Sequence, residues 1–525
     1  MKVVIFVPTE TYHRLYYMSN LSIANFCRIV NCEDEIILED RDVSQIRASF
    51  DFLKEYSSDR VIYGINTGFG PMAQFKIADS NLESLQYNLI RSHCSGMGRV
   101  LDTKSARAVM VARHQSFLQG KSGISPEVMK ILTRVINSNI IPEIFEHGGV
   151  GASGDLVQLS QLSLNLIGEG FVYVGGSRVK AAEALKTAGI EPLKLQLRDG
   201  LGLINGTSCM TGLGVINVAN AECLLGWSVF CSSCINELME SFDDSMSDEL
   251  NSAKRHLGQR SIANSMRAIL FDSHRMKNRV KYFKENDEGK DDIYKKKVQE
   301  YYSIRCVPQI LGPILDTINQ TKDILNNELN STNDNPIVDV EAGEVFHGGN
   351  FHGDYVSLEM DKLKIVVTKM MMLCERQLNF LLNPALNQKF PPFLNSNSLG
   401  LNFGLQGAQF TATSTVAECQ TLSFPNYIHS IPNNNDNQDI VSMGMNSASI
   451  TKTVVENGFE IMSIHLLGVY KAFDLLDNSE QQDMSSKSQK VFHDLGQLVK
   501  FSSEDTPLND DLSKIQSFLK TYSLK

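Results

Sequence analysis

The chain lacks the features that would mark it as disordered, fibrous or disulfide-stapled. Its 525 residues, 42% of them hydrophobic, contain 36 glycines and 14 prolines. No fixed-period repeat and no low-complexity linker occurs, which excludes a disordered or collagen-like chain. Polybasic runs are absent. The densest, Lys295-Lys296-Lys297, is short, lies among acids and reads as a charged loop. With 49 Lys and Arg against 60 Asp and Glu, the net charge of −11 disfavours nucleic acid or an anionic membrane as the main partner. No uninterrupted apolar run approaches the ~20 residues of a membrane span. Val3 to Val7 is too short for a signal-peptide core and is followed by Pro8 and Glu10. The ten cysteines are scattered, and only Cys231 and Cys234 share CxxC spacing. They stand in a helix-like stretch without a second pair and are expected to be buried small side chains. A cytoplasmic protein with reduced thiols is the expectation.

What is present is mostly helical periodicity. Asp354 to Asn383 carries apolar residues near every third and fourth position, free of Pro and Gly, until Pro384 stops it. Similar patterns cover Gly212 to Arg255, Ile314 to Leu329 and Ser447 to Leu476, and helices this long need partners along their whole apolar stripe. The Met370–Met372 run reads as core filler. Strand signals are few: Phe171 to Val174 with Arg178-Val179 across Gly175-Gly176, and Ile337 to Val340 with Val345-Phe346, each read as a hairpin. The polar stretch Asp477 to Ser488 is expected to be a mobile surface loop.

Four segments interrupt the helical pattern with Gly and Asn: Tyr63 to Gly70, His147 to Asp155, Ile204 to Ser208, and Pro432 to Asp439. Each alone could be a connection; together, joined to long helices, they suggest a polar site on a rigid scaffold. Gly149-Val-Gly-Ala-Ser-Gly154 also fits the GxGxxG dinucleotide fingerprint. That motif requires a hydrophobic parallel strand before it and a βαβ rhythm after it. Ile141 to His147 is a poor candidate strand, and no such rhythm follows. A metal site is not expected, because no HExxH occurs and His347 and His352 are badly spaced for one helical face. Walker A and GxSxG patterns are missing too.

At these residues the sequence resembles the aromatic amino acid ammonia-lyases, which include histidine, phenylalanine and tyrosine lyases. The likeness runs from about Asp40 to Leu476. It rests on Tyr63 to Gly70, Gly148 to Leu156, Asn205-Gly-Thr-Ser, Tyr302 to Gln309, Asn333-Asp-Asn-Pro336, Gly349 to Gly353 and Asn437-Gln-Asp439. Within the family it leans toward bacterial tyrosine lyases, through Gln86 to His93 and Pro432 to Met443. The resemblance implies a mainly α fold: a long-helix central bundle with a smaller N-terminal lobe and short β-hairpins. It implies a lobe over 1–211 carrying the cofactor loop, and a bundle domain over 212–525. It also implies a homotetramer whose active sites are shared between chains.

The resemblance further implies that Ala152, Ser153 and Gly154 cyclise into methylidene-imidazolone, with no metal and no nucleotide. Such an electrophile suits the chemistry, since an amino acid's β-proton is not acidic and no pyridoxal-phosphate lysine motif is apparent. Tyr63 would be the base that removes the β-proton, in surroundings that favour its charged form. Arg305 would clamp the substrate carboxylate, Tyr302 would position the amine, and Asn205 would donate to the imidazolone oxygen. Gly70, Asn335, Phe351 and Gln438 would line the substrate site; for the last three, packing or turn capping is the other reading. Ser92 and His93 would face the substrate ring. Ser-His resembles histidine lyases, yet His93 can also bind a phenol, and Asn437-Gln-Asp-Ile lacks the glutamate typical of histidine lyases. L-Tyrosine is therefore the expected substrate, giving trans-4-coumarate. Histidine ammonia-lyase and tyrosine 2,3-aminomutase are the alternatives.

Overall fold

The computed structural model describes residues 15–17, 20–285, 294, 297–502 and 504–524. Val3 to Val7, Lys295 and Lys296 lie outside them. The helices that frame the site are, in chain order, α1 (Leu82–His93), α2 (Thr103–Phe117), α3 (Leu156–Leu166), α4 (Asp199–Ile204) and α5 (Ser208–Leu238). They continue with α6 (Tyr302–Arg305), α7 (Val307–Leu329), α8 (Asp354–Leu382), α9 (Gln406–Leu422) and α10 (Gly444–Asp474). Four of them close a bundle: α8 packs on α10, α10 on α5, α5 on α7, and α7 on α8, while α2 and α9 pack on the outside. The fold is mainly α, as expected.

Helix α5 explains why the bundle coheres. Its 31 residues include only Glu222 and Glu237 as charges, and most of its side chains are buried. By length and composition it is apolar enough to cross a membrane, which qualifies the expectation from uninterrupted runs; here most of that apolar stretch is covered by neighbouring helices. Cys231 and Cys234 are fully buried on it, and Met370 and Met371 of α8 are core residues.

Three element boundaries differ from the sequence reading. The pattern from Gly212 to Arg255 is not one helix: α5 ends at Leu238, where Asn236 Nδ2 turns back onto the Ser232 carbonyl (2.9 Å) and Glu240 adopts φ 51°. A short 3-10 turn and the helix Asp248–Ser252, capped by Ser247, follow. Helix α7 starts at Val307 and runs through Pro313, because a proline forfeits one hydrogen bond yet can be carried by tertiary packing. The expected loop from Asp477 to Ser488 is largely helical. Asp477 and Glu480 form a capping box for Asn478–Gln482, and buried Glu237 accepts from Ser485 N and Ser488 Oγ, both at 2.6 Å.

Both expected hairpins are present. Strand β1 (Met97–Val100) pairs antiparallel with β3 (Phe145–His147), and β2 (Ile141–Pro142) pairs antiparallel with β4 (Phe171–Val174). Strand β4 turns through Gly175-Gly176 into β5 (Ser177–Lys180), and β6 (Ile337–Asp339) pairs with β7 (Glu344–Phe346). The strand directly before Gly149-Val-Gly-Ala-Ser-Gly154, β3, pairs antiparallel, so the dinucleotide fingerprint lacks its structural context. A small apolar cluster of Leu53, Ile62, Ile65, Val338 and Val345 fastens the Tyr63 loop to the β6–β7 hairpin.

Candidate active site

The four Gly- and Asn-rich segments meet at the N-terminus of α5. The first turn of any α-helix leaves backbone N–H groups unpaired. Here they are met by Asp155, whose Oδ2 accepts from Cys209 N and Met210 N at 2.9 Å each. That carboxylate comes from 54 positions upstream, a cap no local pattern reveals. Its burial pushes the Asp155 carboxyl up to about 7, and the two N–H bonds only partly offset this. Asp155 N also donates to the Gly206 carbonyl (2.8 Å), drawing the Ala152-Ser153-Gly154 bend against the turn before α5. Gly154 has φ 75°, and a Cβ there would be driven into the Gly206 carbonyl oxygen.

This packing holds the Ser153 carbonyl in a cradle of two donors. Asn205 Nδ2 lies 3.0 Å from Ser153 O and Gly206 N lies 3.2 Å from it. Asn205 is fixed in turn, because its Oδ1 accepts from Asn335 N (2.7 Å), and Asn335 Oδ1 accepts from Gly348 N (2.7 Å). From the far side, Gln438 Nε2 donates to Ser153 Oγ at 3.3 Å.

Gln438 is presented by an unusual turn. Asn434, Asn435 and Asp436 all adopt φ between 54° and 58°, a left-handed run, while Asn433 and Gln438 exchange backbone hydrogen bonds across its base. Asn and Asp tolerate this conformation; a β-branched residue pays about 1–2 kcal/mol there. Asn435→Val is accordingly expected to destabilise the protein by that amount and to raise KM. Asn435→Gly should leave both near the parental values, as urea melts and steady-state kinetics will show.

The Tyr63 loop closes on the same turn. A Cβ on Gly70 would sit 2.5 Å from Asn434 Nδ2, so the two loops are in contact. Gly70 N donates to Tyr63 Oη at 3.0 Å, and the Phe69 ring stands edge-on to the Tyr63 ring at 6.2 Å. Gln86 anchors the loop to α4, donating to Gly64 O (3.1 Å) and accepting from Leu201 N (3.0 Å). His347, set aside as a metal ligand, instead accepts from Tyr63 N at 3.4 Å. On α1, half-buried His93 has Nδ1 2.8 Å from the Leu89 carbonyl and 3.2 Å from Ser92 Oγ. A carbonyl only accepts, so Nδ1 carries a proton, and in the neutral tautomer this contact selects, Nε2 is an acceptor. Phe351 is half-buried in the segment before α8.

Tyr302 and Arg305 are elsewhere. They share α6, with the Arg305 guanidinium 4.8 Å from the Tyr302 ring. Gln377 of α8 pins this short helix by donating to Ser303 O and to Ser232 Oγ, both at 2.9 Å. Ser232 lies 24 residues along α5 from Ser208, ~36 Å at the α-helical rise. Arg305 Nε is buried without a hydrogen-bond partner among the described residues, and Tyr302 is 71% exposed. One chain therefore gathers Tyr63, Gly70, Ser153, Asn205, Asn335 and Gln438 at one end of the bundle and holds Tyr302 and Arg305 at the other. Sequence reasoning missed Arg113 and Glu328, which sit behind Asn205 and Thr207; their contacts join positions more than 90 residues apart.

Comparison with known proteins places the chain among enzymes of one family. Residues 21–497 match the sequence pattern of the family described as aromatic amino acid lyase. A tyrosine ammonia-lyase of Cupriavidus metallidurans is 37% identical over 488 residues, covering 92% of this chain and 91% of the relative. A protein of Streptomyces globisporus named MIO-dependent tyrosine 2,3-aminomutase is 37% identical over 467 residues, 87% of this chain and 85% of its own. Among solved structures, histidine ammonia-lyase from Trypanosoma cruzi superposes with a TM-score of 0.86 at 30% identity, covering 97% of this chain and 93% of that one. On this match and these identities, the chain belongs to the aromatic amino acid lyase family, as a carbon–nitrogen lyase.

Proposed function

We propose that the protein removes ammonia from L-tyrosine to give trans-4-coumarate, using a methylidene-imidazolone made from Ala152, Ser153 and Gly154. The observation that carries this reading is the pair of donors on Ser153 O, which is the atom that becomes the imidazolone oxygen. Residues around the bend fit the group: Asn205 Nδ2 and Gly206 N would meet the ring oxygen, and the tight packing of Gly154 on Gly206 leaves no room for a side chain at the residue whose nitrogen must close the ring. Formation needs no co-reactant. The Gly154 nitrogen bonds to the Ala152 carbonyl carbon, whose oxygen leaves as water with the Gly154 and Ser153 N–H protons. Ser153 then loses its hydroxyl and α-proton as a second water. Once formed, the group supplies an electrophile that turns the substrate's amine into a leaving group.

The chain's own residues do the rest. Tyr63 Oη takes the β-proton, held in place by the Gly70 N–H. Asn205 Nδ2 and Gly206 N would hold the ring oxygen and favour negative charge there. The Arg305 guanidinium of a neighbouring copy binds the substrate carboxylate in a fork, with that copy's Tyr302 beside the amine. Phe351, Asn335 and Gln438 bound the cavity, and Ser92 holds His93 in register. The Nδ1 contact of His93 with the Leu89 carbonyl supports tyrosine, because the neutral tautomer it selects presents Nε2 as an acceptor for a phenol O–H. The Ser92-His93 pair also supports a second reading, histidine to urocanate, since an imidazole N–H could donate to the same nitrogen.

Separate incubation with L-tyrosine, L-histidine and L-phenylalanine, following ultraviolet absorbance and free ammonia, tests the choice. Coumarate should form fastest. Urocanate alone would overturn the substrate, and β-tyrosine as main product would indicate the mutase.

The ~36 Å between Ser208 and Ser232 along α5 supports active sites completed by a neighbouring copy, in a homotetramer. Leu401, Phe403, Phe410, Phe424, Ile428 and Ile431 are each at least 60% exposed, an apolar surface suited to another copy of the chain. Co-expression of Ser153→Ala with Arg305→Ala chains provides the check. If each site joins the two residues from different chains, the inactive pair should recover about a quarter of the parental activity by random assortment. No recovery would mean that each site is built within one chain.

A further inference from the structure

Behind the donors to Ser153 O lies a group that no sequence motif marks. Arg113, in the middle of α2, is fully buried. Its Nη2 donates to the carbonyls of Asn205 (2.8 Å) and Gly202. Its Nη1 donates to Asn333 Oδ1 (3.2 Å), Ser116 Oγ (3.2 Å) and Ser208 Oγ (3.4 Å), and the guanidinium stacks on the Phe117 ring at 4.2 Å. None of these described hydrogen-bond partners is a carboxylate. Burial brings its pKa down only to about 10, with Asp334 and Asp155 favouring the charge, so it stays cationic at neutral pH. A buried cation is costly unless its donors are used. These donors meet carbonyls that the last turn of α4 leaves unpaired, the first turn of α5, and the segment leading to Asn335.

Those three pieces are the ones that fix Asn205. Its N donates to Leu201 O, its Oδ1 accepts from Asn335 N, its Nδ2 reaches Ser153 O, and its carbonyl accepts from Arg113. Gly206, the second donor, has φ 139°, and a Cβ there would meet Arg113 Nη1 and Asn333. The guanidinium thus fills the space directly under both donors.

We infer that Arg113 is the positioning residue that aims Asn205 Nδ2 at the Ser153 carbonyl oxygen, acting through Asn205 without touching substrate. A lysine cannot replace it, since a point charge cannot bridge the Asn205 and Gly202 carbonyls and Asn333 together. The inference rests on the lyase reading proposed above and adds a residue to that site.

A double-mutant cycle on the full-length protein tests it, with L-tyrosine as substrate and Arg113→Lys, Asn205→Ala and the double variant compared with the parent. Loss of one oxyanion-type donor lowers kcat by about 10²–10³-fold. Arg113→Lys is expected to lower kcat about 10²-fold with KM within about threefold, and to change kcat less than about threefold in the Asn205→Ala background. A full 10²-fold loss in both backgrounds, or parental kcat in the single variant, overturns the assignment. Should Arg113→Lys not fold, Ser208→Ala and Asn333→Ala remove the Nη1 partners one at a time. A kcat loss that vanishes in the Asn205→Ala background supports the assignment, and parental kcat in both overturns it. Intact mass of the parent separates the two levels: a chain at its full encoded mass, without turnover, refutes the lyase reading and Arg113's role with it. A parent lacking two waters leaves the cycle to judge Arg113 alone.

Discussion

Ser153→Ala is expected to reduce turnover of L-tyrosine by at least about 10³-fold, some 4 kcal/mol of transition-state stabilisation. The alanine chain has no hydroxyl to lose, so its intact mass should equal the encoded mass, whereas the parent should be lighter by two waters. Stability should change little. The one described hydrogen bond of the Ser153 side chain is that from Gln438 Nε2 at 3.3 Å, and such a bond is worth about 0.5–1.5 kcal/mol. The carbonyl of residue 153 still meets Asn205 and Gly206 N, because that contact is made by backbone oxygen. Activity near the parental level, or a parent at full encoded mass, would sink the assignment of the group to Ala152-Ser153-Gly154.

Tyr63→Phe removes a single oxygen and is expected to lower kcat by about 10²–10⁴-fold, the usual contribution of a positioned general base. The phenylalanine ring keeps its edge-on contact with Phe69, and the loop stays anchored through Gln86 and the cluster around Ile62 and Ile65. Only Gly70 N loses its acceptor. KM should therefore move by no more than about threefold, and the two-water mass deficit should persist, because Tyr63 takes no part in ring closure. A variant with kcat within threefold of the parent would require another base.

Much of this architecture was legible in the residue order. Helix α8 follows the apolar pattern from Asp354 almost to its last residue, since Pro384 and an unbroken stripe leave no competing structure. The hairpin at Gly175-Gly176 is equally local. The failures share a cause. The start of α5 reads as loop because Gly206, Gly212 and Gly214 weaken its pattern, and what caps it is Asp155, a distant residue. The stretch from Asp477 reads as loop because its polarity hides a capping box and an anchor to Glu237 of α5. For the site, composition alone set the four Gly- and Asn-rich segments apart. The role of Arg113 and the distance of Arg305 from Ser153 could not be read, because both depend on which helices pack together.

The cradle around Ser153 also has a bearing on when the chain matures. Its parts are Gly154 pressed on Gly206, Asn205 held by Asn335, and Gln438 arriving from 285 positions downstream. A ribosome that has yet to make the last quarter of the chain cannot present the bend in this shape. On the proposed chemistry, water loss comes after folding and leaves a permanent mark on every molecule that has once been native. The mass spectrum of an unfractionated preparation would then serve as a census of folding history, separating chains that reached the native state and later unfolded from chains that never arrived.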